Sequence, residues 1–475
     1  MTFSDRFVSS EKSPKFSPCL RPPPVSVVDG VAFPAVYGGS MRLVLSLAAT
    51  CVLGVTLACT STREREVASA IGPAVAAHQS PDVRAFYKQQ SDRPVWVDDR
   101  PTRAMKQAFT ALKRANEHGL DPERYHTSTL EARAATLEAA KAPGAPVTDL
   151  LQFELDVTNA LVALGRDVAL GQSRPRAPQS AREPIDVGAK LAEALGTGAL
   201  GTWPDPVRPA HPQYAALQKL LAGGGHPPDR VKQIANAMNG WRLLPDDLGA
   251  RHILVNIPQF HLFVRDGGKT VVDTRVVVGK EGDETPVFSA DMTSVILSPY
   301  WNIPESIAEG ETIPSIIKDP KYLAKNNLEV LRRSGGKAEL VDPEKVDWSN
   351  AEKTEALSIR QKPGPGNALG HVKFMMPNKN AVYLHDTPAH ALFDRSGRAF
   401  SHGCVRLEEP LELAKYVLGE DPAWTEAAIG EAMHAGVERE VKLKRPIPVH
   451  IVYFTVWVDD AGRPQFFEDV YRRDR

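Results

Sequence analysis

The feature that most constrains this chain is a change of period near Trp241. Upstream, apolar residues recur at helical spacing, as in Ala104, Ala108, Leu112 and Ala115. Downstream, short β-branched runs take over at 253–257, 270–278, 294–297, 381–385 and 449–458, with turn residues such as Asp266-Gly267-Gly268 between them. One period cannot serve the other kind of element, so the chain divides into a mainly-α half and a β half, an α+β multidomain protein. With 475 residues, 42% of them hydrophobic, it exceeds one ordinary domain and can bury a sizeable core in each half. Strands at this spacing fit a β-sandwich-like or barrel-like sheet better than a βαβ repeat.

Within the helical half (81–240), Asp98-Asp99-Arg100-Pro101 and Thr127-Ser128-Thr129 offer helix-start chemistry. Gly119 stops one helix before Leu120-Asp121-Pro122 opens the next, and a further helix through 150–170 ends at Gly171. Residues 60–80, rich in Ser, Ala and charge, read as a tether. Residues 172–213 have the Pro, Gly and Ala content of a linker, with one helical patch near 187–195, and 214–239 leaves room for one or two helices. In the β half (241–475), an insertion at about 304–358 carries helical patterns, including 313–323. Its length predicts a cap over the sheet near the site; the alternative is a structural insertion without a gating role.

Residues 43–58 form an apolar run behind Met41 and Arg42, too short for a membrane span of about 20 residues and suited to the h-region of a secretory signal at 41–59. The Pro- and Ser-rich stretch 1–40 has no structural period, and it reads as an upstream extension, with Met41 the expected start. The run ends in Val55-Thr56-Leu57-Ala58-Cys59, which resembles a lipoprotein cleavage site. This leaves two expectations: acylation of Cys59 with an outer-membrane anchor facing the periplasm, or cleavage to a soluble periplasmic protein. A net charge of −1 and the lack of a basic block give no reason to expect nucleic acid as a partner.

Cys404 lies in Phe400-Ser401-His402-Gly403-Cys404-Val405-Arg406 and is the only cysteine beyond residue 59. A thiol with a pKa of about 8.5 needs a base or a positive environment to act as a nucleophile. His402 lies two residues before it, and His385 nineteen before it. Gly403 permits a tight turn, so the N–H groups of Gly403 and Cys404 could converge on an oxyanion, and Arg406 offers a planar donor to a carboxylate. Two other readings compete: a small buried hydrophobe, and a zinc site made by His385, His402 and Cys404. No CxxC or HExxH pair accompanies these residues, and neither a metal nor another cofactor is expected. The Gly-rich stretch Pro363-Gly364-Pro365-Gly366-Asn367 lacks a phosphate-loop ending and reads as a loop against a substrate backbone. Trp301, beside Tyr300, either lines the groove or anchors the cap.

Ser401 to Arg406, preceded by His385, resembles the active-site signature of the L,D-transpeptidases with a YkuD-like catalytic domain. The resemblance extends to Asn256-Ile257-Pro258, Thr285-Pro286-Val287-Phe288, Pro299-Tyr300-Trp301-Asn302-Ile303-Pro304, the segment 361–370 and Val372-Lys373-Phe374. Phe86-Tyr87, Pro94-Val95-Trp96 and His118-Gly119-Leu120-Asp121-Pro122 resemble the helical scaffold domain of the larger Gram-negative members. The resemblance implies a scaffold domain followed by a β-sandwich-like catalytic domain with a helical capping insertion.

It also implies roles. Cys404 would be the nucleophile, His385 the general acid and base, His402 a positioning or assisting residue, and Gly403 an oxyanion donor. Ser401, Tyr383, Arg406 and Trp301 would lie beside peptidoglycan stem peptides. The implied reaction is 3→3 cross-linking through a cysteine thioester with release of the terminal D-alanine. A close alternative is an L,D-carboxypeptidase or a hydrolase of the lipoprotein–peptidoglycan amide, and an alternative of another class is a non-catalytic wall-binding scaffold. The separate peptidoglycan-binding module of many large members is expected to be missing.

Overall fold

The computed structural model describes residues 62–98, 100–140, 144–172, 180–334, 337–350, 354, 356–459 and 461–474. The expected extension, the signal and Cys59 lie outside the described residues. Among the described residues, no helix is long and apolar enough to cross a membrane.

Six helices share the first core: α1 (Thr62–Ala76), α2 (Pro81–Gln89), α3 (Arg103–Lys113), α4 (Thr127–Ala139), α5 (Val147–Leu170) and α6 (Val187–Gly196). The longest, α5, buries Leu150, Phe153, Val157, Leu161, Leu164 and Val168, one per three or four residues, as a central helix must. It ends at Gly171, whose φ of 77° suits glycine. Gly119, at φ +67°, ends the turn after α3, and a side chain there would stand 2.7 Å from Ala235 Cβ.

Two segments differ from expectation. Residues 62–76 are not a tether: α1 inserts Val67, Ile71 and Val75, spaced four apart, into the helical core. Those three residues suffice to make one apolar stripe in a segment otherwise rich in charge. Nor is 180–213 a linker. Val187, Leu191, Leu200, Trp203 and Val207 all join the core, and Gly188 lets α6 press against the backbone of Asp82 in α2. The small residues that suggested a linker serve close helix packing instead.

Helices α7 (Pro212–Ala222) and α8 (Pro228–Leu243) fill the space expected for one or two helices. Their Tyr214, Leu217, Met238 and Trp241 form a second core with Leu254, Val452, Phe454 and Val456 of the β half. Trp241 stacks on Phe454 with ring centroids 4.7 Å apart, so these helices are as much part of the β half as of the helical one.

The β half contains β1 (Arg251–Asn256), β2 (His261–Asp266), β3 (Lys269–Gly279), β4 (Phe288–Leu297), β5 (Trp301–Asn302), β6 (Leu328–Ser334), β7 (Lys337–Val341), β8 (Leu357–Gln361), β9 (Val372–Met375), β10 (Leu384–His385), β11 (Ala399–Ser401), β12 (Val405–Leu407), β13 (Arg439–Val452), β14 (Val456–Val458) and β15 (Pro464–Phe466). Nine of them pair in the order β11-β3-β12-β10-β9-β4-β13-β1-β2. β2 also pairs with β3, which closes the sheet on itself, the barrel-like outcome. The run expected at 449–458 breaks after Val452, where Asn256 bonds both the N–H and the carbonyl of Phe454.

The insertion holds a helical rod from Glu305 to Lys318, with a π-helical stretch at Ala308–Thr312, and a short helix at Tyr322–Lys325. It also holds a sheet that the helical reading did not anticipate, in the order β5-β8-β6-β7. Ile303, Ile316, Leu323, Val330 and Ile359 give this unit its own small core.

Candidate active site

The site is laid out by three short strands. β10 lies between β9, which is antiparallel to it, and β12, which is parallel. In register, Leu384 faces Val405 and Phe374, while His385 faces Arg406 and Lys373. Leu384, Val405 and Phe374 are fully buried in the sheet core. Alternation therefore puts Tyr383, His385, Arg406, Lys373 and, at the start of β12, Cys404 together on the opposite face. Cys404 stands beside Tyr383, whose carbonyl accepts from Val405 N–H at 3.2 Å, and diagonally across from His385. The rings of Tyr383 and His385 meet edge to face at 5.6 Å.

His385 is fixed by its neighbour Asp386. Its Nδ1 donates to the Asp386 carbonyl at 2.5 Å, which leaves Nε2 as the ring's acceptor. The Asp386 carboxylate in turn accepts from His371 N–H at 2.8 Å and Thr387 N–H at 2.6 Å. Gly370, at φ +60°, permits this, because a Cβ there would stand 2.3 Å from that carboxylate. Burial, and then the charges of Arg406 and Lys373, push the imidazole down to about 3, so it is neutral at ordinary pH. Burial likewise raises the Cys404 thiol, against the opposing influence of Tyr383, Lys373 and Arg406. The resting pair is a thiol and a neutral imidazole rather than an ion pair.

The other expected residues take more varied places. Arg406 is lowered by burial, its Nε has no hydrogen-bond partner among the described residues, and Cys404 is the charge acting on it. Tyr383 is raised by burial, and its hydroxyl faces both Cys404 and Trp301. Trp301, on β5, thus brings the sheet of the insertion to Tyr383. Ser401 departs from expectation: it is buried and braces the loop, its Oγ donating to the Cys404 carbonyl at 2.6 Å and accepting from Gly403 N–H at 3.2 Å. The Gly403 N–H expected to receive an oxyanion is therefore engaged within its own loop. Gly403 itself sits at φ +107°, a value glycine adopts freely. His402 turns toward the insertion, with Nε2 2.9 Å from Glu311 Oε1 and 3.4 Å from Lys280 Nζ. It does not join His385 and Cys404; among the described residues no cluster of three or more His, Cys, Asp or Glu is arranged to hold a metal.

Several supporting residues escaped sequence reasoning. Thr285 Oγ1 donates to the Gly403 carbonyl at 2.8 Å and accepts from Gly279 N–H at 2.9 Å. The Tyr471 hydroxyl donates to the Gly279 carbonyl at 2.6 Å, tying the end of the chain to the same loop. Asn367 is buried and turned inward, donating to the carbonyls of Pro299 and Lys362, so the Gly-rich loop is braced from within. Thr285, Gly370 and Lys373 stood inside segments of the resemblance; Tyr471 and Glu311 carried no signal.

A closed β ring with a helix-bearing insertion and a cysteine–histidine face defines the class. Residues 250–445 match the family model of the YkuD L,D-transpeptidase catalytic domain, and residues 81–221 match the Scaffold domain model. Residues 250–445 are thus an L,D-transpeptidase catalytic domain by this match, and a scaffold domain precedes them. It is 34% identical over 241 residues to a provisionally assigned L,D-transpeptidase of Haemophilus influenzae, covering 50% of this chain and 48% of that protein. The chain thus spans about half the length of that curated relative. Solved structures it resembles include an L,D-transpeptidase from Mycobacterium smegmatis, at 12% identity and TM-score 0.21 over 42% of this chain and 58% of that one. Another is L,D-transpeptidase 3 from Mycobacterium tuberculosis with a faropenem-derived adduct, at 15% identity and TM-score 0.20 over 42% and 60%.

Proposed function

We propose that this protein is a peptidoglycan L,D-transpeptidase that acts through a Cys404 thioester. As the thiol sulfur bonds to the carbonyl of the third residue of a donor tetrapeptide stem, its proton passes to His385 Nε2. The C–N bond to the terminal D-alanine breaks, and His385 returns the proton to the leaving amine. The side-chain amine of a second stem then attacks the thioester, which yields the 3→3 cross-link and restores the thiol. Neither ATP nor a metal enters this balance. Arg406 is assigned to a substrate carboxylate, and Tyr383 and Trp301 to the walls of the groove. We place the reaction in the periplasm, on a protein that is either cleaved to a soluble form or anchored to the outer membrane through an acylated Cys59.

The observation that supports this reading best is the shared face of β10 and β12, which sets Cys404 beside a histidine whose Nδ1 is already committed to a carbonyl. Intact-mass measurement after incubation with tetrapeptide stems tests it. The expected result is an adduct equal to the donor less D-alanine on the wild type, none on Cys404→Ser, and a cross-linked dimer among the products. Release of free tripeptide alone would replace the transferase by a carboxypeptidase. An adduct that persists on Cys404→Ser would remove the nucleophile assignment.

A further inference from the structure

Lys373 stands out as a half-buried cation to which the proposed reaction gives no part. It lies on β9 directly opposite His385, on the same face as Cys404 and Arg406. Its Nζ sits 3.9 Å from the centroid of the Tyr383 ring, the ring whose hydroxyl faces the thiol. No ion pair involving Lys373 occurs among the described residues. The nearest charges acting on it are those of Cys404 and of Glu438, whose carboxylate is occupied by Tyr300 N–H at 2.7 Å. A half-buried lysine with no ion-pair partner among the described residues, set on an aromatic face beside a thiol, is placed to meet negative charge that arises there during function.

We propose that Lys373 is a further positioning residue of the acylation site, its ammonium held on the face of Tyr383 so that it stabilises the negative charge that forms at Cys404. Lys373 exchanges no proton in this role. The thiol proton still goes to His385, and the ammonium lowers the free energy of the sulfur as it becomes nucleophilic and again as it leaves at deacylation. Stacking on Tyr383 fixes the cation without a counter-ion that would cancel its field. The ionisable groups facing the thiol are Lys373 from β9, Tyr383 and His385 from the β10 segment and Arg406 from β12, with Glu438 beyond Lys373. On the other side of the motif, Glu311 and Lys280 engage His402. Burial lowers Lys373 while Cys404 raises it, and Lys373 in turn lowers Cys404, as a coupled cation and thiol require.

The inference rests on Cys404 being the reactive thiol, and its test avoids the transpeptidation reaction altogether. Iodoacetamide alkylation of Cys404 is followed against pH in the full chain, read at the Cys404 peptide by mass spectrometry, with near-UV circular dichroism as the check on the fold. The expected result for Lys373→Met is an upward shift of the alkylation midpoint by about 1 pH unit or more, the size of one nearby opposite charge. Alkylation at pH 7 then slows about tenfold. Lys373→Arg, which keeps the charge, returns most of the shift. An unchanged midpoint in a folded Lys373→Met protein, or a shift that arginine fails to reverse, would reduce Lys373 to a packing element. Failure of the stem-peptide experiment with this shift intact would refute the transpeptidase reading alone.

Discussion

His385 donates from Nδ1 to the carbonyl of Asp386, its own neighbour in sequence, at 2.5 Å. A base oriented by a peptide group has no carboxylate behind it to stabilise an imidazolium, and Arg406 and Lys373 act against the same charge. In the proposed reaction the imidazolium is therefore a transient. His385→Gln is expected to lower the acylation rate by about 10²–10⁴-fold, the usual contribution of a general base, with folding retained. Stopped-flow or mass-resolved acylation by a carbapenem checks it; a loss of less than threefold would exclude the role.

The same burial carries a pH signature. His385 is depressed to about 3 in the folded protein, against about 6.5 in an unfolded chain. The native state then binds fewer protons, so this contribution is complete above pH 6.5 and is lost as pH falls toward 3. Between pH 6.5 and 5 the loss from this one group is about 2 kcal/mol. Urea unfolding at both pH values is expected to show the wild type losing about that much more than His385→Gln. Equal losses in the two proteins would show that the imidazole is solvated.

In the helical half, one carboxylate does the work of several backbone partners. Glu154 of α5 is fully buried and accepts from the N–H groups of Val95, Trp96 and Val97 and from the Tyr87 hydroxyl, at 2.7 to 3.0 Å. Its oxygens replace the hydrogen bonds a regular element would have given the chain between α2 and α3. Glu154→Ala strands those donors, and a cost of about 3–5 kcal/mol is expected. Glu154→Gln, which keeps one acceptor, is expected to cost less. Thermal unfolding of the two variants gives the order, and the reverse order would contradict the network.

Sequence singled out Cys404 and His385 because the proposed chemistry needs a rare residue, and a lone Cys after residue 59 flanked by His and Gly has few other uses. The β half was legible from its β-branched runs, but the closure of its sheet was not, since β10, β11 and β12 have only two or three residues each. Lys373 was hidden for a different reason: a lysine in a strand reads as a solvated face, and only the register with His385 and Cys404 reveals its place. Composition misled at 62–76 and 180–213, where single residues such as Ile71 and Trp203 anchor segments that look polar or small. Ser401 was assigned by proximity in sequence, yet its hydroxyl is spent on the loop that carries it.

Contact between Glu311 and His402 links the insertion to the motif at 2.9 Å, from a π-helical turn. Both side chains are substantially exposed, so the pair adds little to global stability, under about 1 kcal/mol. Its effect is expected in the insertion instead. Glu311→Gln should leave the thermal midpoint within the error of measurement while proteolysis within 304–358 accelerates, and His402→Gln should do the same. Because they break one contact, the double variant is expected to match either single one. Additive effects would mean that the two residues act separately.

Gly188 sets helix propensity against packing. It lies inside α6, where replacing glycine by alanine ordinarily stabilises a helix by about 1 kcal/mol. Here a Cβ would stand 1.9 Å from the Asp82 carbonyl oxygen and 2.7 Å from its carbon, and both are backbone atoms that cannot swing aside. The helices would have to separate, and α2 also carries Phe86 and Tyr87 into the core that Glu154 organises. Gly188→Ala is therefore expected to destabilise the protein by about 3 kcal/mol, the upper range for overpacking. Gly196, at the end of the same helix with nothing within 4 Å of its Cβ position, is the control: Gly196→Ala should be neutral or slightly stabilising. Equilibrium urea unfolding of both variants decides the matter by sign alone, and a stabilised Gly188→Ala would mean that α2 and α6 do not approach as closely as the structure has them.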